Sequence, residues 1–166
     1  DISLKYNLLI MVDHTFLFTG AVRKMKEIID NEELGDLCYY DSVRINLGLF
    51  QHDVNVLWDL APHDLSILLY LYEDHKPVSI NAVGATHFGN HENVAYLNIN
   101  YDNNFNAHFH VNWLSPVKIR HTLIGGRKKM LVWDDLLNTE KIKIYDSGVD
   151  IDKNKNINKL DRKSVV

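Results

Sequence analysis

The sequence predicts an α+β domain, a predominantly antiparallel open-faced sheet with helices on one face. Three observations carry that reading. The first half holds apolar residues at helical spacing (Val22, Met25, Ile29) and the dense apolar run 65-LSILLYLY-72. From Pro77 onward the apolar period changes to two and stays there. The connections in that second half are short and rich in Asn, Asp and Gly, as in 102-DNN-104 and 125-GG-126, which suits hairpins.

In chain order, residues 1–6 read as the last turns of a helix, and 8-LLIMV-12 as a strand buried on both faces. Thr19 is a candidate N-cap for a helix whose polar side carries Arg23, Lys24, Lys26 and Glu27. That helix should stop near 31-NEELG-35, where Gly35 can take the left-handed terminating conformation. A strand follows over 36–48, with Leu37, Tyr39, Asp41 and Val43 alternating with Cys38, Tyr40, Ser42 and Arg44. A second helix is expected from Asp59 to about Glu73, capped by Asp59, with Pro62 tolerated in its first turn. Strands are then predicted at 77–88, 93–102, 105–114, 118–126, 128–135 and 141–148, joined in sequence as an antiparallel meander. The Asn- and Lys-rich tail, 149–166, lacks a period and reads as poorly ordered.

Composition narrows the functional classes. A chain of 166 residues with 46% hydrophobic and 24% charged content suits one globular domain. Its formal charge of -4 and pI near 6.1 argue against a nucleic-acid binder, and 127-RKK-129 is its only compact basic patch. One cysteine, Cys38, forbids an internal disulfide and a cysteine-built zinc site. No run is long enough to span a bilayer and no leader pattern opens the chain, so no membrane partner and a cytoplasmic location are expected.

Nine histidines are candidates for chemistry. His108 and His110 share one strand face and could hold a metal if a third ligand such as His121 joined them. The clean alternation of Ala107, Phe109, Val111 and Trp113 with Asn106, His108, His110 and Asn112 favours an ordinary half-exposed sheet instead, so no metal site is assigned. His14 stands just past the apolar run at 8–12, where strand ends gather binding residues. Asp59 and His63, four residues apart in 58-WDLAPHDLSILLYLYE-73, fall on one helix face. A carboxylate so placed can orient an imidazole and keep its pKa near neutrality, which makes a base for a hydroxyl proton. A helix cap and a plain polar residue would give the same pattern.

The segments 11-MVDHTFLFTGAVRKMKEIID-30, 34-LGDLCYYDSVRINLG-48, 58-WDLAPHDLSIL-68 and 111-VNWLSPVKIRHTLIGGRKKMLVWDD-135 together resemble the C-terminal, substrate-binding domain of the Gfo/Idh/MocA oxidoreductases. The likeness runs over roughly residues 1–148 and is nearest to the branch acting on nucleotide sugars. It implies the dihydrodipicolinate-reductase-like C-terminal fold. It also implies hydride transfer between NAD or NADP and a hydroxyl-bearing carbon of a sugar, nucleotide sugar or cyclitol. His63 would be the acid/base and Asp59 its orienting carboxylate. His14 and Arg44 would line the substrate cleft, Arg44 pairing with a phosphate or carboxylate.

The resemblance also divides the chain. Residues 1–15 would be a remnant helix and strand of a missing Rossmann domain, 16–148 the substrate-binding and oligomerisation domain, and 149–166 the tail. No GxGxxG occurs, and 125-GGRKK-129 lies between strands, so no cofactor-binding residue is assigned. The family's Glu-Lys-Pro lysine has no counterpart in place, Lys76-Pro77 being a superficial echo. Alone, the chain is expected neither to bind the dinucleotide tightly nor to turn over. Its partners would be the sugar substrate, the missing Rossmann domain and a second copy through the sheet face, where Tyr96, Trp113 and Trp133 are expected. The alternative is a truncated, non-catalytic relative serving as a sugar-binding or oligomerisation module.

Overall fold

The computed structural model describes residues 2–48 and 50–146, so the predicted tail and the end of the last predicted strand lie outside the described residues. Helix α1 covers Ile2–Tyr6, a 3-10 turn Thr15–Phe18, α2 Gly20–Asp30 and α3 Val56–Leu71. The strands are β1 (Leu37–Leu47), β2 (Pro77–Ala85), β3 (Val94–Tyr101), β4 (Asn106–Asn112), β5 (Leu114–Gly126), β6 (Met130–Asp134) and β7 (Ile142–Tyr145). They form one sheet in the order β2-β3-β4-β1-β5-β6-β7, with α2 and α3 packed on one face. No helix among the described residues is long and apolar enough to cross a membrane.

The fold class is as predicted, but the meander is interrupted. Strands β2-β3-β4 and β5-β6-β7 are antiparallel runs, and β1 lies between them, parallel to β4 and antiparallel to β5. The segment 113-WLSP-116 has none of the left-handed residues a two-residue hairpin needs. The chain instead passes the end of β1 through Trp113, whose N–H donates to Asn93 and whose carbonyl accepts from Gly48. Trp113 is 1% exposed, so burial of its ring fixes the crossing.

The predicted strand at 8–12 does not form. Residues 7–14 are irregular, and Leu9 is 96% exposed, because an apolar run becomes a strand only where a neighbouring strand takes up its N–H and C=O groups. Helix α2 starts as expected: the Thr19 hydroxyl accepts from Val22 N–H at 3.4 Å. Past its end, Gly35 has φ +71° in the turn into β1. Helix α3 begins one turn earlier than predicted. Asn55, not Asp59, is its N-cap, accepting from Trp58 N–H at 3.0 Å, and Pro62 therefore sits inside the helix.

The core lies between helices and sheet, with Met25, Leu68, Tyr40, Phe109, Ile124 and Trp133 nearly sealed from solvent. Each fully buried aliphatic or Phe side chain of such a core contributes about 1.5–3 kcal/mol. A smaller cluster of Val56, Ala61, Ala95, Val111 and Trp113 anchors the first turns of α3 on β3 and β4. The opposite face is open and polar, carrying Tyr96, Asn98, His108, His110, Asp41 and His121. Trp113 and Trp133 are not on it. Both are buried on the helix side, at 1% and 2% exposure, since the alternation that turns Tyr96 outward turns Trp133 inward.

Candidate functional site

Arg44 and Arg120 stand directly opposite each other on β1 and β5, both facing the helices. Like charges so paired repel, and the fold answers with Asp64 from α3. Its two oxygens accept from Arg44 Nε at 2.8 Å and Nη2 at 2.7 Å, a bidentate pair with both side chains about 95% buried. The Arg44 guanidinium also lies over the Phe16 ring, 4.6 Å from its centroid, with Arg120 at 5.8 Å from the same ring. Phe16 belongs to the 3-10 turn between residues 7–14 and α2.

His63 meets this cluster from α3. Its ring packs edge-on against Phe16 at 5.3 Å between centroids, and it precedes Asp64 in the helix. Burial first, and then the Arg44 charge, push its pKa below the ordinary 6.5; Asp64 and Asp59 oppose that and Arg120 adds to it. The imidazole is thus neutral at pH 7, with a free lone pair. The sequence suggests a pKa held near neutrality by Asp59, whereas the local field at His63 is set chiefly by burial and Arg44.

Asp59 is engaged elsewhere. Its carboxylate accepts from Trp113 Nε1 at 3.0 Å and acts on His63 only through space. His14 opens the 3-10 turn that carries Phe16, and its carbonyl accepts from Leu17 N–H. The residue lines an apolar groove of about 320 Å³ against α3 with Trp58, Pro62, Leu65 and Leu69. Of the four residues singled out from sequence, the structure brings His63 and Arg44 together, ties Asp59 to Trp113, and sets His14 beside the groove. Arg44 is 4% exposed and paired with Asp64 through Nε and Nη2, so its guanidinium is not presented to solvent.

Sequence reasoning missed Asp64, Phe16 and Arg120. A signal existed for Asp64, because alternation along β1 buries Arg44 and a buried guanidinium requires a carboxylate. Nothing in 14-HTFLF-18 marks Phe16 as the neighbour of His63.

Elsewhere, Gly125 and Gly126 lie in β5, where a Cβ would meet the Tyr39 ring at 2.1 Å and the Leu34 carbonyl at 2.2 Å. They permit close strand packing and cannot cradle a phosphate. On the open face His108 lies 3.6 Å from Asp41, and His121 3.3 Å from Asp134. No three His, Cys, Asp or Glu residues among those described are grouped to hold a metal ion. A polar cavity of about 410 Å³ between Tyr72, His75, Asn103 and Arg127 sits at the far end of α3.

Against known proteins, the model of the GFO/IDH/MocA C-terminal domain matches residues 22–132. No curated protein matches the sequence. Among solved structures, the UDP-N-acetylglucosamine 3-dehydrogenase GnnA of Acidithiobacillus ferrooxidans is 22% identical with a TM-score of 0.69, over 87% of this chain and 46% of that one. The inositol dehydrogenase homolog of Azotobacter vinelandii, in complex with NADH and myo-inositol, is 13% identical with a TM-score of 0.73, over 89% and 45%. The WlbA dehydrogenase of Bordetella pertussis, in complex with NADH and UDP-GlcNAcA, is 14% identical with a TM-score of 0.71, over 85% and 47%. These likenesses show the fold, and the chain spans less than half the length of each structure. With the family model covering most of the sheet and both main helices, the chain belongs to the Gfo/Idh/MocA family, as its C-terminal domain.

Proposed function

We propose that this chain is the substrate domain of an NAD(P)-dependent oxidoreductase that acts on a hydroxyl-bearing carbon of a sugar or nucleotide sugar. The observation that carries the reading is His63, a neutral imidazole on a rigid helix, clamped by Phe16 and biased by the Arg44–Asp64 pair. In oxidation His63 accepts the proton of the substrate hydroxyl, and in reduction it returns it. Asp59, fixed by Trp113, supplies a negative charge that favours the imidazolium as it forms. Burial, with the Arg44 charge behind it, keeps the resting imidazole neutral, and His14 lines the adjoining groove. The names of GnnA and WlbA are consistent with a nucleotide-sugar substrate.

The hydride acceptor would be NAD or NADP. Its pyrophosphate finds no fit among the described residues, whose one glycine pair is packed inside β5. A separate Rossmann domain would hold it, docked along the apolar groove on α3 and the exposed residues 8–12. A second copy would associate through the open sheet face.

The test is His63→Ala in an enzyme completed by its dinucleotide-binding half. Oxidation of the sugar should be lost while cofactor affinity is kept; undiminished turnover would remove His63 from the mechanism. Calorimetry of the chain alone should show no saturable NADH binding.

A further inference from the structure

The two guanidiniums beside His63 are not equivalent. Arg44 is spent: its side chain is 5% exposed and both Asp64 oxygens bind it. Arg120 is 33% exposed, and its one carboxylate, Asp135, lies at 3.2 Å through a single contact. Asp135 is itself shared, because Lys141 Nζ reaches its other oxygen at 3.5 Å and donates to its carbonyl at 2.6 Å. Arg44 and Asp64 neutralise each other, while Arg120 and Lys141 share the single carboxylate of Asp135, a surplus of one positive charge among those three side chains at the solvent-reaching end. Phe16 neighbours both groups, its ring centroid 5.8 Å from the Arg120 guanidinium and 5.3 Å from that of the His63 imidazole.

We propose that Arg120 is the anion-binding residue of this site, receiving a phosphate or carboxylate group of the substrate beside His63. The assignment rests on the reading of the site as a sugar or nucleotide-sugar cleft, and it moves the anion contact from Arg44 to the neighbouring strand. Arg120 has unused N–H donors in a planar fork that suits either oxyanion. An anion there neutralises the surplus without disturbing the Arg44–Asp64 pair. It also anchors the substrate by a group remote from the reacting carbon, which leaves the hydroxyl free to approach His63.

The experiment follows the His63 imidazole by nuclear magnetic resonance in the full chain, with inorganic phosphate, glucuronate and glucose as probes. Phosphate, glucuronate or both should raise the His63 pKa saturably, glucose should not, and His121 on the opposite sheet face should not move. The anion that acts identifies which group the site takes. Affinity should fall about tenfold or more in R120Q, the loss expected for a charge-assisted hydrogen bond, and R120K should recover part of it. K141Q, which returns Asp135 wholly to Arg120, should weaken the anion severalfold without touching Arg120 itself. Equal anion affinity in R120Q and wild type, or no response to either anion, would overturn the proposal. The phosphate arm contains neither sugar nor nicotinamide, so its outcome is independent of whether the chain serves an oxidoreductase. A chain that binds UDP-sugars at His63 but ignores R120Q would lose Arg120 alone.

Discussion

Replacing Asp64 by Asn tests the account of the site at its electrostatic centre. The change is nearly isosteric, so the loss is charge and one acceptor rather than volume. In the wild type, Arg44 and Asp64 are about 95% buried and joined by two hydrogen bonds of 2.7 and 2.8 Å. The neutral amide would leave the Arg44 guanidinium buried without its counter-charge, a situation that costs about 3–5 kcal/mol. For a domain of this size that corresponds to a fall in Tm of roughly 10 °C. Urea unfolding monitored by Trp fluorescence suits the measurement, since Trp113 and Trp133 are buried in the two clusters of the core. The double variant Arg44→Met, Asp64→Leu removes both charges and should recover most of the stability, because the desolvation penalty goes with them. Asp64→Asn should also push the His63 pKa further down, for the larger of the two charges that raise it is gone while Arg44 persists. A loss below about 1 kcal/mol, with an unchanged His63, would refute the reasoning.

Other expectations follow from single contacts. Gly126→Ala brings a Cβ to 2.2 Å from the Leu34 carbonyl, a backbone atom that cannot step aside, and should cost about 1–3 kcal/mol in denaturant unfolding. Asn55→Ala removes the cap of α3 and should cost about 1 kcal/mol by the same measurement, whereas the sequence-based choice of cap would have assigned that cost to Asp59. Burial is the largest influence pushing His63 and His110 below 6.5, so the unfolded chain binds protons there that the folded chain does not. Stability should therefore fall as pH drops through 6.5, and His63→Gln with His110→Gln should flatten that slope.

The fold was legible where local chemistry decides it. Period-two alternation placed six of the strands after Pro77 to within a few residues, and the Thr19 cap set the start of α2. What sequence could not show was pairing. The parallel contact of β1 with β4 depends on where Trp113 buries its ring, a non-local choice that no turn signal records. The strand expected at 8–12 failed for the converse reason, since apolar character does not supply a hydrogen-bonding neighbour. In the site, spacing placed Asp59 and His63 on one helix, but a helix face does not specify what lies across from it. Trp113 took the Asp59 carboxylate and Phe16 took the His63 edge, both from far away in sequence. Arg44 stands out in the sequence, but alternation along β1 does not name the partner of a buried guanidinium, which Asp64 supplies from α3.

The most direct test of the central claim is a titration of the 166-residue chain with UDP-N-acetylglucosamine, reading all its histidine rings by nuclear magnetic resonance. A saturable shift is expected at His63, with His14 responding beside it and His108 and His121 on the opposite sheet face silent. Shifts confined to the open face, or none at His63, would contradict it.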